Sequence, residues 1–186
     1  MKTLSHRILV MGVSGSGKSH IGRQLALTVS ATFIDGDDHH SPTNVAKMAS
    51  GTPLNDNDRS EWLDTLAALL ADYQRQDLSL VIACSGLKKR YRDRLREGDP
   101  ALHILYLEGR RELLMHRLET RAGHFFKGDT MLASQLADLE PPRDEEAFNA
   151  SISLSPKEIV DQFSATLALP GPTPSYRERL ALELPL

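Results

Sequence analysis

The stretch GVSGSGKS, Gly12 to Ser19, fits G-x-x-x-x-G-K-[ST] without a gap and follows the apolar run RILVM. Gly12, Gly15 and Gly17 let backbone N–H groups turn toward phosphate oxygens, at the start of a helix whose N-terminus carries partial positive charge. In such a loop Lys18 reaches the β- and γ-phosphates and the Ser19 hydroxyl serves Mg²⁺, while Val13, Ser14 and Ser16 complete the cradle. Further on, FIDGDDHH sets Asp35 and Asp37 two apart, so on an extended segment both carboxylates face one side. One can hold Mg²⁺ through water while the other takes a proton from an attacking hydroxyl. Turn and capping chemistry is the competing reading of DGD. Arg117 and Arg121, four apart, share a helix face. On a closing lid they would neutralise a transferring phosphoryl group; a solvated face with ion pairs is the competing reading.

Composition narrows the partners. With 25 acidic against 22 basic residues in 186, no overall basic field exists to hold nucleic acid, and any anionic ligand must meet a local cluster. The strongest cluster, KKRYRDRLR, has Tyr91 as its only aromatic, too little for a nucleic-acid surface. Lys88, just past an apolar strand, is placed instead to meet an anionic substrate. A single cysteine, Cys84 in LSLVIAC, excludes an intramolecular disulfide and reads as a buried apolar residue. His39 and His40 point apart on an extended chain, and no further ligand shows zinc spacing, so a transition-metal site is not expected. The start lacks a signal-peptide core and no run is long enough for a membrane span, so a cytoplasmic protein is expected.

The elements that position these groups alternate. RILVMG, TFID, LSLVIAC, LHILYLEG and AFNASISL read as strands, and helical patterns separate them. Ile21, Leu25 and Val29 mark the helix after the glycine loop. Ser41 caps a short helix with Pro42 in its first turn and Gly51 beyond its end. Asp58 and Glu61 have the spacing of an acidic capping box, before a face of Trp62, Leu66, Leu69, Leu70 and Tyr73. LKKRYRDRLREG and RRELLMHRLETR are helical; AGHFFKGD reads as a connector, Thr130 as the cap of MLASQLADLE, and Pro141-Pro142 as its stop. Ser155, Pro156 and Glu158 begin a last helix. Five strands separated by helices imply an α/β fold with a parallel sheet covered on both faces. Residues 1–170 are read as one kinase domain with a lid at about 117–130, and 171–186 as a tail. The glycine loop alone leaves switches, motors and small-molecule kinases open; the chain length favours a small kinase.

Five blocks in order, GVSGSGKS, FIDGDDHH, NVAKMASGTPLNDNDRSEWL, CSGLKKRYRD and RAGHFF…SQLADLE, resemble the small P-loop gluconokinases from the first strand to about residue 168. The resemblance implies a P-loop NTPase fold of the shikimate and nucleoside monophosphate kinase type, with a five-stranded parallel sheet and a mobile lid. It implies ATP-dependent phosphorylation of D-gluconate at its 6-hydroxyl, with Mg²⁺, in a homodimer. On the same ground Asp37 falls nearest the acceptor hydroxyl and Asp35 nearer the metal. His40, Lys47, Arg59, Lys88 and His124 become candidates for the polyol and its carboxylate. Arg59 suits a planar carboxylate because a guanidinium can bind it through two parallel hydrogen bonds. His39, Ser41 and Gly86 depart from the family's usual apolar residue, proline and alanine. The closest rival activities are those of shikimate or nucleoside monophosphate kinases; a nucleotide-binding module without catalysis is the rival from another class.

Overall fold

A computed structural model describes residues 4–122 and 125–167, leaving aside the side chains of 121–129. Five strands, β1 (Arg7–Met11), β2 (Thr32–Asp35), β3 (Leu80–Ala83), β4 (His103–Glu108) and β5 (Phe148–Ser151), form one sheet in the order β2-β3-β1-β4-β5. Every pairing is parallel, with Leu9 opposite Ile82 and Ile104, and Ile34 opposite Ile82. All of the strand carboxyl ends therefore lie on one edge, the edge where open α/β sheets gather ligands.

Among the described residues seven helices flank them: α1 (Lys18–Thr28), α2 (Pro42–Ala49), α3 (Asp56–Arg75), α4 (Lys89–Gly98), α5 (Arg111–Ala122), α6 (Phe125–Asp138) and α7 (Pro156–Leu167). The two faces of the sheet carry separate cores. Ile8, Val10, Val81 and Leu105 pack with Ile21 and Leu25 of α1 and with Ile159 and Phe163 of α7. Leu9, Met11, Ile82 and Ile104 pack with Trp62, Leu66 and Leu70 of α3 and Tyr91 and Leu95 of α4. Strands buried on both faces cannot alternate, which is why they read as continuous apolar runs. Cys84 lies in this second core, its thiol pushed up to about 12 by burial. No described helix is long and apolar enough to cross a membrane.

The helix starts show both agreement and correction. Ser41 accepts from the Asn44 amide at 3.2 Å and is the cap of α2, as expected. Ser155 and Glu158 form a reciprocal cap at α7, the Glu158 carboxylate accepting from the Ser155 amide at 2.8 Å. At α3 the capping box is made by Asn55 and Asp58, at 2.9 and 2.8 Å, not by Asp58 and Glu61. Starting at Asn55 puts the Asp58 carboxylate at the third helical position, where it caps back, and leaves Arg59 buried one residue on. Thr130 is not a cap either: α6 begins at Phe125, so most of the segment read as a connector is helical. The tail from 168 onward lies outside the described residues.

Leu66 is wholly buried between α3 and the sheet. Leu66→Ala removes three methyl(ene) groups from packed surroundings and is expected to lower unfolding stability by about 2–5 kcal/mol. Chemical denaturation measures it.

Candidate active site

The glycine loop leaves β1 with Gly12 at φ 151°, and a side chain there has no room. A Cβ would stand 2.7 Å from the Ser16 hydroxyl and 2.9 Å from the Leu107 carbonyl. Gly17, at φ 94°, forms the left-handed entry to α1. The Ser16 hydroxyl is buried without a hydrogen-bond partner among the described residues. Lys18 Nζ donates back to the Val13 carbonyl at 3.1 Å, so its ammonium hangs over the loop.

Across the edge, β2 ends in Asp35 and a short 3-10 turn, Gly36–His39. Asp35 does two things: one oxygen accepts from the Ser19 hydroxyl at 2.5 Å, the other from the Asp37 amide at 3.2 Å. The carboxylate therefore joins the phosphate loop to the turn and sets the turn's direction. Gly36 lets the turn lie flat on β3, since a Cβ would stand 2.7 Å from the Ala83 carbonyl. Trp62 Nε1 holds the turn from above, donating to the Gly36 carbonyl at 2.7 Å.

Asp37 thereby enters a cleft of about 120 Å³ shared with Ser14 and Lys18 of the loop, His40, Arg59, Trp62 and Gln135. Its side chain is 73% exposed, while the cleft walls still reduce its hydration. Desolvation pushes its carboxyl above the ordinary range, opposed by Lys18, and Asp35 adds to the rise. His40 stacks on Trp62 with ring centroids 4.2 Å apart, and its Nε2 is 3.9 Å from Asp37. Burial lowers the His40 pKa despite the pull of Asp37, so the ring is neutral near pH 7.

The other expected residues are spread around this cleft. Arg59 is buried and lines it, its guanidinium donating to the Tyr91 hydroxyl at 3.2 Å and to Asp138 at 3.4 Å. Lys88 stands behind, 3.1 Å from Asp56 and 3.4 Å from Asp138, and the bond to Asp56 raises its pKa. Asp56 also receives the Tyr91 hydroxyl and Arg90, bonds that hold its carboxyl far below the usual range. Lys47 is committed to Asp58 at 2.7 Å and does not line the cleft.

Arg117 borders the other flank of the phosphate loop. Its guanidinium donates to the Ile152 carbonyl at 2.8 Å and lines a second cavity of about 260 Å³ on the far side of the loop. Gly17, His20, Leu154 and Pro156 border the same cavity. Arg117 Nη1 would stand 3.9 Å from a Cβ on Gly17, so the guanidinium lies against the phosphate loop, held there by the residue after β5. The Arg121 side chain and all of His124 lie outside the described residues.

Several cleft residues escaped sequence reading. Trp62 was legible only as a core position. Met131, Ser134 and Gln135 come from α6, and Gln135 accepts from the Ser14 amide of the phosphate loop at 2.6 Å. Ser85 follows β3, and its carbonyl accepts from the Gly12 amide at 3.3 Å. The SQLADLE block contained two of these positions, but no pattern in it assigns a role.

A phosphate loop, a carboxylate turn facing it and a small polar cleft between them define a P-loop kinase. The Shikimate kinase family model matches residues 14–167. The thermoresistant gluconokinase of Escherichia coli K12 is 47% identical over 141 residues, covering 76% of this chain and 80% of that one. A gluconokinase of Arabidopsis thaliana is 39% identical over 166 residues, covering 83% and 88%. The crystal structure of a gluconokinase from Sinorhizobium meliloti 1021 superposes with a TM-score of 0.80 at 40% identity, covering 90% of this chain and 94% of that one. The chain belongs to the gluconokinase family, within the wider shikimate kinase family.

Asp37→Asn tests the carboxylate. Because the native pKa lies above the unfolded value, Asp37 favours folding most at low pH, and that contribution is lost as pH rises through the native pKa. At neutral pH the amide is therefore expected to leave thermal stability unchanged or raised while turnover falls about 10²–10⁴-fold. A melting curve and a coupled ADP assay on one preparation read both.

Proposed function

We propose that the protein transfers the γ-phosphoryl group of ATP to the 6-hydroxyl of D-gluconate, giving 6-phosphogluconate and ADP. The observation that carries this reading is that Lys18, Asp37 and Arg59 line one cleft. Together they supply a cation for the phosphates, a base for a hydroxyl and a cation for a carboxylate, the groups that phosphorylation of a sugar acid requires.

The glycine loop takes the triphosphate, with Lys18 turning from the Val13 carbonyl to the β- and γ-oxygens. The base lies in the larger cavity, where Ile152, Leu154 and Pro156 supply apolar surface and Arg117 a flat cation for stacking. Gluconate lies along Trp62 and His40, its carboxylate toward Arg59. Its terminal hydroxyl points to the phosphorus. As the new O–P bond forms and the β–γ bridging P–O bond breaks, Asp37 orients the hydroxyl and takes its proton. The raised pKa makes Asp37 a stronger base than an ordinary aspartate.

Ser19 and Asp35 fit Mg²⁺. They are a hydroxyl and a carboxylate 2.5 Å apart beside the phosphate loop, an oxygen donor pair completed in such sites by phosphate and water. When bound there, the ion offsets charge on the β- and γ-oxygens. No cluster of three or more His, Cys, Asp or Glu able to hold a metal occurs among the described residues. Lys47 and Lys88 support the acceptor side through Asp58 and Asp56, while Arg121 and His124 are lid candidates for the closed state. A homodimer in the cytoplasm is the setting that the family resemblance implies.

The test is an acceptor panel read by ADP release, with gluconate, related sugar acids, shikimate and nucleoside monophosphates. Gluconate is expected to give the highest kcat/KM. Arg59→Ala is expected to raise the gluconate KM at least tenfold with the ATP KM little changed. Preference for shikimate or a nucleotide overturns the reading, and an unchanged gluconate KM in the variant removes the carboxylate from Arg59.

A further inference from the structure

Asp138 ends α6, where the helix macrodipole is negative and an acidic side chain is disfavoured. It therefore does nothing for the helix that carries it. Its two oxygens instead bridge two cations, Oδ2 to Arg59 at 3.4 Å and Oδ1 to Lys88 at 3.4 Å. Both contacts are long beside the ~2.7–2.9 Å of a good charge-assisted bond. Each cation also keeps a second, closer partner: Tyr91 for Arg59 at 3.2 Å and Asp56 for Lys88 at 3.1 Å. The Asp138 side chain is 31% exposed, so it has room to leave.

We propose that Asp138 is a tethered stand-in for the acceptor's carboxylate, seated between Arg59 and Lys88 until the substrate displaces it. The inference rests on the sugar-acid reading of the cleft. A tethered carboxylate competes at the effective concentration of its own chain, in the millimolar range or above. Small free anions, which make no other contact, lose that competition. An acid whose hydroxyl chain also engages the cleft wins it. The cost is weaker apparent binding, since only the fraction of molecules with Asp138 swung away is competent. The gain is release: after transfer, Asp138 returns to the cations and helps expel the anionic product.

Removing the charge tests this with two kinds of readout. Trp62 is the single tryptophan and stands in the cleft, so its fluorescence reports acceptor binding without turnover. For Asp138→Asn the gluconate Kd and KM are expected to fall about three- to tenfold, as for a competent fraction of about a tenth to a third. The ATP KM is expected to stay within twofold. Sodium acetate, at concentrations that leave the wild type unaffected, is expected to inhibit the variant competitively with gluconate. Asp138→Glu is expected to keep wild-type behaviour. Asp138→Ser must agree with the asparagine variant, and it decides the question if that protein does not fold. An unchanged or raised gluconate Kd in the neutral variants overturns the proposal and makes Asp138 a support for Arg59. Failure of the wild type to phosphorylate gluconate, or of Arg59→Ala to weaken it, overturns the sugar-acid reading instead.

Discussion

One strand of separation governs the site. The phosphate loop leaves β1 and the carboxylate turn leaves β2, and β3 runs between them. At about 4.8 Å per strand, the two carboxyl ends stand roughly 10 Å apart, a gap fit for a phosphoryl group and an attacking hydroxyl. The gap stays open only because β3 ends in small residues. Cys84, Ser85 and Gly86 follow it, and Gly86 turns away at φ 55° with little space beside Met11. Any residue with a Cβ would be strained in that conformation. The glycine is thus a local adjustment of the same floor. Gly36 has a matching role, bringing its turn down onto the Ala83 carbonyl so that Asp37 projects over the gap.

Electrostatics follow from that arrangement. Asp35 and Asp37 repel each other across two residues, and Asp37 has less water than a surface carboxylate. Asp35 relieves part of the problem by accepting from Ser19 and from the Asp37 amide. Lys18 relieves another part. What remains is a carboxyl held away from its own optimum for stability and closer to that of a base, a trade common where a fold supports chemistry. His40 does not add a second negative partner or a full positive one. Stacked on Trp62 and desolvated, it stays neutral and presents ring edges to the cleft.

Much of this was legible in the sequence, for reasons that can be separated. Buried parallel strands announce themselves as apolar runs, so RILVM and LVIA fell in place, and the glycine loop needed only strand before and helix after. Ser41 and Ser155 read correctly because a cap is local, involving residues at most three apart. Asn55 was overlooked in favour of Asp58 because both lie in a polar stretch in which several caps are chemically sensible. The start of α6 was hidden by Gly123, Gly128 and two phenylalanines, a composition suggestive of a turn. Least legible were the pairings across elements. Nothing near Asp56 or Asp138 in the chain indicates that Tyr91, Lys88 and Arg59 will converge on them, since that convergence is set by the packing of α3 against α4. Trp62 shows the same limit from the other side. Its spacing marks it as core, and it is core, yet its edge also forms the cleft wall.

The placement of α6 links these observations. Gln135 and Asp138 are three residues apart, so they share a face of the helix. From that face Gln135 accepts from the Ser14 amide of the phosphate loop, while Asp138 meets the cations of the acceptor side. The Ser14 amide belongs to the row of N–H groups that phosphate requires, and Arg59 is the cation that a carboxylate requires. Both contacts of α6 are therefore made with groups that the substrates themselves would engage. Glu140, just beyond, ties the same segment to α4 through the Lys89 amide at 2.6 Å and the Leu87 carbonyl at 2.8 Å. The helix is anchored at its carboxyl end by contacts the reaction does not need, and held along its face by contacts the reaction must replace.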